Sequence, residues 1–249
     1  MEAVSILVEN LGSQPKWLFF FRSFFSNVKD FLMSNGIAVI TGDLYRSSTG
    51  YERGLPYVKS MEAMLKQISD DTKFLVKNVD VFRGDFFQIT LYEPTTIFEL
   101  SVYIRSFLIS LSENKEVKYD ARLSLSYSET NASVGPDSKS YFEDAYIISG
   151  RRLDFMEKDV MMEFNSSMDN WHHSFYGVIR LLDFMVGTLS KPQAEVLSWA
   201  IRNKSLYVPE IALATKKTQQ NIHKLISRSG IKNIMDFLEF SKEQIHSLR

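Results

Sequence analysis

Apolar and polar positions change period several times along this chain, and each change marks an element. Residues 37–41, Ile-Ala-Val-Ile-Thr, are a short apolar run of the kind a buried strand shows. Residues 55–69 set Val58, Met61, Leu65 and Ile68 at helical spacing. Residues 74–82 and 86–91 are two strand-like runs joined at Arg83-Gly84-Asp85, a hairpin signal. Residues 95–111 carry Ile97, Leu100, Ile104, Phe107, Leu108 and Leu111 as an amphipathic helix. Across 119–129, Ala121, Leu123, Leu125 and Tyr127 alternate with polar neighbours, as in a half-buried strand. The stretch "TNASVGPDSKS" follows as a loop, and 141–156 reads as a further helix.

The order β-α-β-β-α-β is the split βαβ, or ferredoxin-like, pattern. It predicts an α+β protein whose body is a ferredoxin-like (βαββαβ), palm-type domain. In that topology the first strand lies beside the third. Asp43, at the exit of strand one, and Asp85, in the hairpin, then come to the same end of the sheet. Two close carboxylates repel unless a proton or a cation holds them. Magnesium is the expected cation, and it commonly brings phosphate. Gly42 and Gly84 are read as letting the backbone turn and a ligand approach. Arg46, Ser47, Ser48 and Arg83 are the nearby candidates for phosphate binding. A Gly-Asp pair is on its own no more than a turn signal; the two topological positions together carry the metal reading.

Four stretches, "AVITGDLYRSS", "VFRGDFFQITL", "ARLSLSYSE" and "DAYIISGRRLD", resemble the SatD family of small bacterial proteins. More distantly they resemble the palm of class III nucleotidyl cyclases and GGDEF diguanylate cyclases. In those enzymes an Asp ending the first strand and an Asp in the central hairpin bind metal. The resemblance therefore implies metal binding at Asp43 and Asp85, a purine nucleotide as ligand, and Arg151 as a phosphate contact. Two positions depart from the cyclase pattern. Ile148 stands four before Arg152 where an Asn is expected, and Phe86 replaces the second acidic residue of the diguanylate signature.

Beyond the palm region, 170–188 reads as a linking helix, with His172 and His173 as surface or interface residues. Three short helices follow. The first spans about 192–202, the second starts at Pro209, and the third starts after Thr218 and ends at Gly230. "VPEIALATKKTQQNIHKLISRSG" resembles a helix-turn-helix. Its reading face would be Gln219, Gln220, Asn221 and Lys224, with Lys216, Lys217, Thr218 and Arg228 around it on the DNA. The domains expected are an N-terminal segment 1–34, a palm 35–168, a linker helix 169–189 and an all-α helix-turn-helix domain 190–249.

Composition sharpens this picture in three places. Of 249 residues none is cysteine, which excludes disulfides, zinc thiolates and cysteine nucleophiles and fits a reducing cytoplasm. The net charge of −1 hides an asymmetry: residues 190–249 hold ten Lys/Arg against five Asp/Glu, the mark of a polyanion partner. No apolar run is long enough to span a membrane. The segment "KWLFFFRSFFSNVKDFL", residues 16–32, has one Trp and six Phe, with its apolar positions at helical spacing. It reads as an extra helix on the body or on a second subunit, with membrane-surface attachment as the alternative. Three functions remain open. One is a DNA-binding regulator whose body senses a magnesium nucleotide or dimerises; its partners are duplex DNA, a purine nucleotide and a second copy. The others are a nucleotidyl cyclase or nucleotidyltransferase-like enzyme, and a non-catalytic protein-interaction module.

Overall fold

A computed structural model describes residues 36–45, 51–71, 73–82, 84–92, 94–113, 118–129, 139–166 and 169–247. These belong to one compact unit. The aromatic segment 16–32, the loop 46–50 and Arg83 lie outside the described residues.

The fold is α+β, with a five-stranded mixed sheet and eight α-helices among the described residues. Strand β1 (Gly36–Leu44) leads to helix α1 (Tyr51–Asp70), then to β2 (Val76–Phe82) and β3 (Phe86–Leu91). A 3-10 turn (Pro94–Thr96) starts helix α2 (Ile97–Ser110), followed by β4 (Ala121–Glu129), α3 (Lys139–Phe155) and β5 (Met162–Ser166). The remaining helices are α4 (Asp169–Gly187), α5 (Lys191–Asn203), α6 (Val208–Thr215), α7 (Gln219–Ser229) and α8 (Ile231–Ser247). The strands lie in the order β2-β3-β1-β4-β5. β1 pairs antiparallel with both β3 and β4, and β5 joins β4 in parallel. None of the described helices is long and apolar enough to cross a membrane.

The two faces of the sheet differ chemically. Ala38, Ile40 and Leu44 of β1 enter the main core with α1 and α2. Ile37 and Val39 point the other way and meet Ala145 of α3. On that second face the strand 119–129 departs from the half-buried expectation, because Ser124, Ser126 and Ser128 are fully buried as well. Helix α3 covers β1 and β4 there. The Ser126 hydroxyl donates to the Ala145 carbonyl at 2.7 Å, and Thr41 donates to Ser149 Oγ at 2.7 Å. A polar strand face thus packs against a helix instead of facing water, its hydroxyls mostly bonded.

Helix α2 departs from expectation for a related reason. Its apolar stripe predicts one buried face, yet Glu99, Ser101, Arg105 and Ser106 are buried too. Helix α5 packs along its other side, so α2 sits between sheet and tail. Ala194, Val196, Leu197 and Ile201 of α5 therefore share a single core with Ile104 and Leu108. Phe98 of α2 lies within 5.2 Å of Phe164 on β5 and of Phe175 on α4, and 5.9 Å from Phe237 on α8, centroid to centroid. The apolar packing runs without a break across residue 190.

Arg105 is the charged centre of this packing. Its side chain is wholly buried, with Nε and Nη2 donating to the two Asp120 carboxylate oxygens, each at 2.9 Å. Nη1 donates to Asp183 Oδ1 at 2.7 Å, and Asp183 Oδ2 accepts the Met161 amide at 3.1 Å. Burial works against the guanidinium charge, but Asp120 and Asp183 outweigh it and push the pKa above its ordinary value. Removing one partner of such a group strands the others in a dry site. Arg105→Ala should therefore lose about 3–5 kcal/mol of stability in urea unfolding at neutral pH. Arg152→Ala, which breaks the exposed 4.0 Å pair with Glu163, should lose less than about 1 kcal/mol. Equal losses for the two would contradict the role given to Arg105.

Candidate functional site

The end of the sheet where β1 exits brings Asp43 and Asp85 together. Asp43 lies opposite Phe86 in the β1–β3 register, and the next amide, Leu44 N–H, donates to the Asp85 carbonyl at 3.1 Å. The hairpin before β3 turns at Gly84, whose φ of +82° is the left-handed region that glycine adopts without strain. Gly42 works differently from expectation. It lies within β1, and a Cβ there would come within 2.5 Å of Phe87 and 2.7 Å of Leu123. Gly42 is small to admit core side chains, not to admit a ligand.

Two further groups complete the corner, and neither stands out in the sequence. Arg122, on β4, is the register partner of Asp43, and its Nη1 stands 3.7 Å from Asp43 Oδ2. Its Nη2 donates to the Leu153 and Met156 carbonyls at 3.2 and 2.9 Å, so the end of α3 holds it in place. Asp154, in the last turn of α3, adds a third carboxylate to the field around Asp43. Burial raises the Asp43 pKa; Arg122 opposes it, and Asp85 and Asp154 add to it. Asp43 Oδ1 and Arg122 Nε are both buried without a hydrogen-bond partner. Among the described residues no group of three or more His, Cys, Asp or Glu is arranged to hold a metal. A hard cation at this corner would have two protein carboxylates, Asp43 and Asp85, and would need ligand or water oxygens for the rest, as magnesium commonly does.

The remaining candidates separate. Arg46, Ser47, Ser48 and Arg83 fall outside the described residues. Arg151 is exposed near the end of α3, while its neighbour Arg152 faces Glu163 at 4.0 Å. On the main-core side of the same sheet end lies an open cleft of about 400 Å³, lined by Tyr45, Lys118, Asp159, Arg180 and Phe184 over the Arg105 cluster. Lys118, its pKa lowered mainly by burial, donates to the Gly187 carbonyl.

In the tail, Pro209 stands in the first turn of α6, and Lys216 ends that helix in the left-handed conformation at φ 54°. Thr218 then caps α7, accepting the Asn221 amide at 3.2 Å. Ile222 and Ile226 turn inward, leaving Gln219, Gln220, Asn221, Lys224 and Arg228 exposed. His223 lies on the same exposed face, beyond the set expected from sequence. Lys217 does not join them: its Nζ is half-buried and donates to Glu195 Oε2 at 2.5 Å. Thr218 acts as the cap. The tail's basic excess is partly turned inward, since Lys242 pairs with Glu99 at 2.9 Å and Lys191 donates to the Ser112 carbonyl at 2.9 Å. Lys204, Lys216, Lys224, Arg228 and Lys232 stay exposed.

No protein-family model matches the chain, and no curated protein matches it either.

The raised Asp43 pKa has a stability consequence whose sign is fixed. The folded state holds the Asp43 proton more tightly than the unfolded chain, so its contribution is complete below about pH 3.8 and is lost as pH rises through the folded value. An asparagine side chain at this position cannot ionise. Thermal melts without divalent ions should show the Asp43→Asn variant gaining on the wild type between about pH 4 and pH 7, with no gain at lower pH. A variant that falls behind as pH rises would mean that Arg122 outweighs burial.

Proposed function

We propose that this chain is a DNA-binding regulator whose body is a ferredoxin-like palm of SatD type, extended by a fifth strand. Helices α5 to α7 form the helix-turn-helix, and α7 is the helix that enters the major groove. The observation that carries the reading is the exposed first turn of α7, where Gln219, Gln220, Asn221 and Lys224 stand together after a tight left-handed turn. Amide side chains match adenine edges, and Lys216 and Arg228 flank them as phosphate contacts. The inward pairing of Lys217 with Glu195 removes it from that set and fixes α7 against α5.

A second reading concerns the body, and the meeting of Asp43 with Asp85 favours it. The corner binds a purine nucleotide through magnesium, as the cyclase likeness implies. Bound magnesium would screen the two carboxylates and hold phosphate oxygens between them. Arg122 would orient Asp43 from the β4 side. Magnesium with ATP or GTP should then raise the melting temperature of the wild type and leave Asp43→Asn unmoved.

The DNA reading is tested by anisotropy titrations of the full chain at several salt concentrations, on random duplex and on the sequence upstream of its own gene. Replacing Lys216 and Lys224 by Ala should weaken binding to both and shallow the salt dependence by about two phosphate contacts. Lys217→Ala should change that slope little. Gln220→Ala should lose about 1–3 kcal/mol on the preferred site and little on random duplex. Binding that ignores salt, or is absent from both duplexes while the chain is folded, would turn the reading toward a protein partner.

A further inference from the structure

The open cleft of about 400 Å³ over the Arg105 cluster has a floor that is chemically closed. Arg105 spends its guanidinium on Asp120 and Asp183. Every carboxylate oxygen of those two residues is taken, by Arg105 or by a backbone amide. The floor therefore has nothing left to offer a ligand.

Three charged groups around that floor do. Lys118, just before β4, is half-buried, and its ammonium has one hydrogen-bond partner among the described residues, the Gly187 carbonyl. An ammonium has three donors, so capacity remains. Burial lowers the Lys118 pKa, Asp120 and Asp183 oppose this, and Arg105 adds to it. An anion beside the ammonium would restore what burial removes. Arg180 of α4 is also half-buried, and Asp159 is exposed in the turn before β5. Neither has an ion pair or a hydrogen bond among the described residues. Phe184 of α4, 70% exposed, supplies an apolar wall to the same cleft.

The charges of the lining select the ligand. Arg105, Lys118 and Arg180 stand against Asp120, Asp159 and Asp183, so the cleft is neutral as a whole. A lone anion or a lone cation would upset that balance, whereas a molecule with one group of each sign keeps it. The volume suits a small molecule, since such sites run from about 300 to 1,000 Å³. We infer that this cleft binds a small zwitterion of the amino-acid type with an apolar, aromatic side chain. Its carboxylate meets Lys118 and Arg180, its ammonium meets Asp159, and its ring lies on Phe184. The inference uses neither the Asp43–Asp85 corner nor a metal ion, and it stands whether or not the tail binds DNA.

Calorimetric titration of the full chain without divalent ions tests it, with L-phenylalanine, 3-phenylpropionate and 2-phenylethylamine as probes. The three share a ring and differ in their charged groups. L-phenylalanine should bind at least about tenfold more tightly than either of the others, each of which lacks one charge pairing. Arg180→Gln should weaken L-phenylalanine and 3-phenylpropionate by about tenfold and leave 2-phenylethylamine unmoved. Asp159→Asn should weaken L-phenylalanine and 2-phenylethylamine by about as much and leave 3-phenylpropionate unmoved. Neither substitution removes a contact, so both variants should melt with the wild type. Asp43→Asn should change none of the three affinities, which separates this site from the nucleotide corner. No binding of L-phenylalanine would overturn the inference. So would 3-phenylpropionate binding equally well, or L-phenylalanine binding that neither Arg180→Gln nor Asp159→Asn weakens.

Discussion

A buried guanidinium holding two buried carboxylates is the constraint on which the rest of this structure depends. Arg105 comes from α2, Asp120 from the entrance to β4, and Asp183 from α4, whose second carboxylate oxygen also takes the amide leading into β5. None of the three can leave without stranding charge in a dry site, so the elements they belong to move together. The cluster reaches the end of the sheet where Asp43 lies. The Tyr45 amide donates to the Asp120 carbonyl at 2.9 Å, which ties the cluster to the chain two residues beyond Asp43. Tyr57 of α1 accepts the Asp120 amide at 2.7 Å and stacks on Tyr119 at 4.1 Å, closing the same end from the other side.

The second consequence of α2's position is that sheet and tail are one packed body. Helix α5 lies along α2, and α8 returns to it through Lys242 and Glu99. Helix α7 is then held at a fixed angle to the sheet, with the turn before it locked by the Lys217–Glu195 pair. The inward ion pairs also change how the tail's charge should be counted. Among the described residues Lys204, Lys216, Lys224, Arg228 and Lys232 are exposed outside these inward contacts, and they are the ones available to a polyanion.

Local periodicity carried much of the architecture. The strand at 86–91, the helix starting after Thr218 and its end at Gly230 match the structure to the residue, because each is bounded by a turn or cap with its own chemistry. What escaped the sequence was long-range. Strand β5 has only five residues, too few for alternation to stand out. Helix α8 starts at Ile231 directly after Gly230, with no loop to announce a new element. The serines of β4 looked solvent-facing because nothing local reveals that α3 will cover them. At the corner, Asp43 and Asp85 were legible from topology, since Asp43 closes the apolar run of β1 and Gly84-Asp85 forms the hairpin turn. Arg122 and Asp154 were not, because they reach the corner through the β4 register and the end of α3. Arg105 lies within the amphipathic stretch 95–111 with no local sign of its role, and only its pairing with Asp120 and Asp183 shows why it is buried.

Hydrogen exchange of the full chain, with and without a saturating random duplex at low salt, tests the central reading most directly. DNA binding through α7 predicts new amide protection concentrated between Lys216 and Arg228, with little change in β1 to β5. Protection confined to the sheet, or no change at α7 under conditions where the duplex is bound, would contradict it.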